Sequence, residues 1–168
     1  MEWLSPIHTF TFSLVLAWWQ QLGLAFLLGS FTVATLSDIK RLSAQREFLE
    51  VWLLFLLGVL VFEIYDMRVG KIDSATFAVK WGLIALLSFL SFERIGVLFP
   101  LAKGDVAALA AAASLLTPTL ILIFYGLAKL IAWLLQRLIW PNRTSWPFLP
   151  VVSLATIAVM VLGLLWGS

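Results

Sequence analysis

The chain reads as an all-α protein, a polytopic membrane helix bundle of about six transmembrane helices forming a single domain over residues 1–168. Three observations predict this. Hydrophobic residues fill 62% of the chain and charged residues only 12%, against roughly 25% charged in a soluble domain. That leaves too little polar surface to cover a globule in water. The apolar residues fall into runs near the ~20 residues that a helix needs to cross a bilayer. The charged residues concentrate between those runs.

Six runs follow in order, at about residues 18–37, 48–65, 74–92, 105–117, 118–140 and 146–166. An interfacial segment with Trp3, Pro6 and His8 precedes the first. Residues 1–16 contain Glu2 and no Lys or Arg, so they lack the basic start of a signal peptide. The fourth and fifth runs form one nearly continuous apolar stretch over residues 105–140. As a single helix it would be roughly 54 Å long, far beyond a ~30 Å hydrocarbon core. Thr117-Pro118 is the place to break it, because proline lacks an N–H and disfavours helix in the residue before it. The break leaves a short helix of about 20 Å. Its Asp105 end is then expected below the membrane surface, in a wet cavity lined by protein. The alternative is one tilted helix kinked at Pro118. Residues 107–113 are alanine except for Leu109, and such small side chains let helices approach closely in lipid.

Basic residues set the expected orientation. Lys40, Arg41, Arg46, Arg94, Lys103, Arg137 and Arg143 fall in or beside three connections on one side, against Arg68 and Lys71 on the other. Seven against two makes the first side cytoplasmic. The chain is therefore expected in the cell membrane as a multi-pass protein with both termini outside. A five-helix alternative would put Arg137 and Arg143 outside and fits less well. Trp18, Trp19, Tyr65, Trp140, Trp146 and Trp166 lie near run ends, as in interfacial belts. The lipid bilayer is the first partner. A net charge of +2 gives no reason to expect nucleic acid. With no cysteine and one histidine, His8, the chain offers no thiolate, no zinc ribbon and no transition-metal set, so neither a metal nor a cofactor is expected.

Asp38 closes the first run and Asp105 opens the fourth, which puts both carboxylates at the same expected membrane face. Each alone would be a polar helix end, Asp38 beside Lys40 and Arg41, Asp105 as an N-terminal residue favoured by the helix dipole. Together they have further chemistry. Two carboxyls a few ångströms apart cannot both ionise, so they share a proton. The ionised partner can take a proton from an attacking water while the other protonates a peptide carbonyl and later the leaving amine. Asp38 and Asp105 are thus the candidate catalytic pair. Gly104 would allow close approach of a peptide chain. Glu47, Glu50 and Glu93 flank this side and are expected to be solvated or paired with Arg46 and Arg94, with attraction of a basic substrate as the alternative. On that alternative Glu47, Glu50 and Lys103 join Gly104 in the candidate substrate-contact set. Glu63 and Lys80 are expected to pair or to snorkel to the outer interface, with an ion path as the alternative. Lys129, in the middle of the fifth run, is expected to reach a cavity or a carbonyl.

The motif order resembles the type IV prepilin peptidase family, especially its archaeal preflagellin-peptidase branch. Ser37-Asp38-Ile39-Lys40 is similar to the family's first catalytic-aspartate motif. Lys103-Gly104-Asp105-Val106 is similar to the second, a Gly-x-Gly-Asp followed by valine and an alanine-rich helix. Trp146-Pro147-Phe148-Leu149-Pro150 resembles a Pro-Phe-x-Pro element that often opens the last helix. Ala102 stands in place of the first glycine, Ala107 where lysine often stands, and residues 43–46 differ from the usual Ile-Pro-Asn/Asp. The cysteine-rich segment of bacterial bifunctional members is missing, which argues against methyltransferase activity. The resemblance implies a metal-independent aspartic endopeptidase. Its substrates would be prepilin-like or preflagellin-like membrane precursors with short basic leaders, cut at the cytoplasmic face. A small proton-coupled transporter and a noncatalytic membrane assembly subunit are the rival readings of the same carboxylates.

Overall fold

A helix that is apolar on every side must be kept from water, by other helices or by lipid, and the alanine-rich segment is covered by helices. The computed structural model describes residues 14–41, 46–138 and 147–167, with the side chains of 37–41, 46 and 167 outside that description. Among the described residues there are six α-helices: α1 (Trp18–Arg41), α2 (Arg46–Arg68), α3 (Ser74–Leu90), α4 (Lys103–Ser114), α5 (Pro118–Leu138) and α6 (Leu149–Gly167). In α4 every residue from Val106 to Ser114 is buried. It packs on α1, α2, α3 and α6, and is the hub around which the longer helices stand. Alanine at the contact faces lets four neighbours share so short a helix.

The other helices close a ring. Trp19 meets Phe62, Phe26 stacks on Phe55 and Phe31 meets Trp52 edge-on at 5.4 Å. These partners run in opposite order, so α1 and α2 are antiparallel. Trp52 also donates to Ser30 Oγ at 3.0 Å. On its other side α1 packs on α6, α6 on α5, and α5 on α3. At Gly163 of α6 a methyl group would meet the Leu16 side chain at 2.6 Å, so glycine is what admits the N-terminal segment there.

The expected break at Thr117-Pro118 is a complete turn between two helices, not a kink. Helix α4 ends three residues before Thr117, with Leu115 N–H donating to Ala112 O and Leu116 N–H to Ala113 O. Helix α5 starts on Pro118, where the missing N–H costs nothing. The α2–α3 turn closes through Gly70 at φ +79°, a conformation that glycine adopts without penalty. Asp73 caps α3 by accepting from Ala75 N–H at 3.2 Å.

Among the described residues three helices are long and apolar enough to cross a membrane: α2 from Glu47, α5, and α6 to Trp166. The chain is thus a membrane protein. Helix α3 is apolar but shorter, and α4 shorter still. Exposed Trp18, Tyr65 and Trp166 stand at one end of α1, α2 and α6, as an interfacial belt would. Trp140 and Trp146 lie outside the described residues.

Candidate functional site

Asp105 lies in the first turn of α4. It is the third residue of the helix and does not start it. The helix begins at Lys103, after Ala102, which offers no side-chain cap. That leaves the first-turn carboxylate as the group that meets the positive end of the helix dipole. Asp105 and Gly104 are half-buried and Lys103 is exposed. Asp38 is in the last turn of α1, and its side chain lies outside the described residues.

One hydrogen bond fixes how these helices run. Gln20, near the start of α1, donates from Nε2 to Leu115 O at the end of α4, at 2.8 Å. Gly23 is against the Leu115 side chain, 2.7 Å from where a methyl group would sit. Because this point joins the start of α1 to the end of α4 and the two helices pack side by side, they are antiparallel, and Asp38 and Asp105 lie at the same end of the bundle. Moving ten residues along each from this anchor brings Asp105 level with residues 30–33 of α1. Asp38 then lies about 8–12 Å farther out along the axis at 1.5 Å per residue. Helix α2 runs parallel to α4. Gly58, Val59 and Phe62 line a groove with Leu115, so the same count brings Asp105 level with residues 48–52. Glu50 thus shares the height of Asp105, and Glu47 is one turn farther out. Both are exposed. By this count Glu50, Lys103, Gly104 and Asp105 share one layer, with Glu47 one turn out and Asp38 farther still.

A connection packed from three sides delivers Asp105. Between α3 and α4, Leu98 N–H donates to Leu90 O, Leu101 N–H to Ser91 O and Glu93 N–H to Leu101 O, each at 3.1 Å. Gly96 at φ +57° permits the reversal. Phe99 is buried and meets Phe148 edge-on at 5.2 Å. That contact ties the connection to the Pro147–Pro150 segment, which opens α6 as expected. Lys129 of α5 donates to Leu98 O and stands 4.9 Å from the centre of the Phe99 ring. Of the two expectations for Lys129, the carbonyl is the one realised.

At the opposite end, Lys80 of α3 is buried and forms an ion pair with Glu63 Oε1 of α2. Trp81 Nε1 donates to the other carboxylate oxygen at 2.9 Å. Pairing, and not snorkelling, is how these charges are accommodated. Lys71 and Asp66 add an ion pair of 3.3 Å at the turn. The groove between α1 and α2, about 430 Å³, also lies toward this end. Trp19, Gly23, Phe55, Gly58, Val59, Phe62 and Leu115 line it, and none of them can titrate.

Sequence reasoning missed Gln20, Trp81 and the order of the 91–102 connection. Trp81 adjoins Lys80, and a helical count sets such neighbours about 100° apart, so it does not predict that both reach Glu63. The Gln20 and Lys129 contacts join residues 95 and 31 positions apart, which no local pattern reports. Among the described residues no group of three or more His, Cys, Asp or Glu could hold a metal ion. No family model, no curated protein and no solved structure matches the chain.

Proposed function

We propose that this protein is a membrane-embedded aspartyl endopeptidase with Asp38 and Asp105 as its catalytic pair. It crosses the membrane several times with both aspartates at the cytoplasmic face, as the seven-to-two distribution of basic residues indicates. Its substrates are membrane-inserted precursors of the prepilin or preflagellin kind, with a short basic leader before an apolar helix. The observation that carries the reading is the convergence of α1 and α4. Two aspartate positions 67 residues apart in sequence (105 − 38) fall on helix ends at one end of the bundle. One of them lies in the first turn of a helix too short to span.

The chemistry follows from that placement. In the reacting state the two carboxyls hold one proton between them. The ionised group takes a proton from water as the water adds to the scissile carbonyl, and the protonated group donates to the carbonyl oxygen. The resulting diol collapses with a proton passed to the leaving amine. Glu47 and Glu50 supply negative charge for the basic leader, and Gly104 gives the peptide backbone room beside Asp105. The axial offset of about 8–12 Å adds a requirement. The last turns of α1 must approach α4 when the substrate binds.

Glu63 and Lys80 facing each other across a cavity would have favoured a carrier. They are bonded to each other on adjacent helices instead. The test is cleavage of a panel of peptides with basic leaders and apolar helices, in lipid, by the wild type and by Asp38→Asn and Asp105→Asn. Each substitution should lower turnover by at least ~10²-fold while the helical protein survives. Wild-type turnover should show a bell-shaped pH profile that belongs to the pair. Substantial cleavage by either variant refutes the pair. A wild type that cuts nothing while both substitutions stop proton or solute flux in liposomes selects the carrier. Neither activity selects a noncatalytic assembly subunit.

A further inference from the structure

We propose that Lys129 is a positioning residue for Asp105, acting through the connection between α3 and α4. The catalytic part of this proposal rests on the peptidase reading, and the structural part does not. Lys129 lies nine residues before the end of α5 (138 − 129), about 14 Å along the axis. Its side chain is exposed on the outer face of the bundle, where in lipid an ammonium at that depth needs a partner. It finds one in the backbone of another segment, Leu98 O, with the Phe99 ring beside it.

Those two residues hold the connection. Leu98 N–H donates to Leu90 O at the end of α3 while Leu98 O accepts from Lys129, so the peptide groups on both sides of this residue are held. Phe99 is buried between Lys129 and Phe148, which anchors the chain to α5 and α6 at once. Two residues later Leu101 exchanges hydrogen bonds with Ser91 and Glu93. The next residue, Ala102, accepts the first helical bond of α4 from Val106 N–H at 3.1 Å. Asp105 is inside that turn. A shift at Leu98 therefore reaches Asp105 through two fixed peptides and one helical turn.

Lys129→Met keeps the apolar stem and removes the donor and the charge, whereas Lys129→Arg keeps both. Amide exchange in lipid nanodiscs reads the tie directly. The Glu93, Leu98 and Leu101 amides should exchange about tenfold faster or more in Lys129→Met and near wild-type rates in Lys129→Arg. On a peptide that the wild type cleaves, Lys129→Met should lower kcat by about tenfold with KM within about twofold, and Lys129→Arg should restore it. Wild-type exchange rates in Lys129→Met overturn the proposal whatever the cleavage result. Equal loss of kcat in both variants, or a matched fall in kcat and thermal stability, overturns the catalytic part. A wild type that cleaves nothing overturns the peptidase reading instead, and exchange alone then decides the role of Lys129.

Discussion

Glu63 and Lys80 illustrate the energetics of single residues in this bundle. Two ions withdrawn from water are tolerated because each satisfies the other, with Trp81 occupying the remaining carboxylate oxygen. Removing one partner strands the other. Glu63→Leu or Lys80→Met alone should destabilise the protein by about 3–5 kcal/mol. The double substitution Glu63→Leu/Lys80→Met should recover most of that loss, because it removes both desolvation costs. Unfolding in mixed micelles measures each value, and additive losses in the double variant would contradict the pairing. This pair was legible in the sequence, because its members face each other across a short turn between two apolar runs. The Lys129 partner was legible only as a class of atom, since nothing local says which carbonyl lies beside α5.

At the scale of elements, the central fact is that α4 is short, enclosed and closed at its far end by a side chain from another helix. Gln20 holds two helix ends with one amide. Its Oε1 accepts from Ala17 N–H at 2.7 Å, and its Nε2 donates to Leu115 O. Gln20→Ala leaves a buried carbonyl at the end of α4 without that donor and should cost about 1–3 kcal/mol. Gln21→Ala, whose amide bonds the local Leu16 O at 3.1 Å, should cost less than half as much. Thermal unfolding in detergent compares them, and equal effects would contradict the interhelical cap. The helices themselves were readable. Proline at 118 marked the break and the alanines marked the enclosed segment. The ends were read less well. Helix α4 was expected over 105–117 and runs from Lys103 to Ser114. The tight turn into α5 consumes Leu115 to Thr117, and the dipole draws Asp105 inside the first turn.

For the whole molecule, the register of α1, α2 and α4 divides the charges between two ends. One end carries the Asp105 layer, with Asp38 beyond it. The other carries the closed Glu63–Lys80 pair. The sequence could place both aspartates at one face, because hydropathy and basic bias give the order and direction of spans. It could not give their separation, which depends on how far α4 slides along α1. Gln20 and Gly23 set that slide by their contacts with Leu115. The topology has its own test. Cysteines at Ser43 and Ser168 should label from opposite sides of sealed vesicles, and labelling from one side would contradict the six-span arrangement.

The chain contains no cysteine, so an introduced pair reports one distance cleanly. The most direct measurement is disulfide formation in Asp38→Cys/Asp105→Cys in lipid, with and without a peptide that carries a basic leader and an apolar helix. A disulfide needs the two Cα atoms within about 7 Å, closer than the axial offset of the resting bundle allows. The account predicts slow cross-linking alone and at least about tenfold faster cross-linking with the peptide, against none in an Asp38→Cys/Ser114→Cys control. Failure of the Asp38–Asp105 pair to cross-link under either condition would contradict a shared catalytic site.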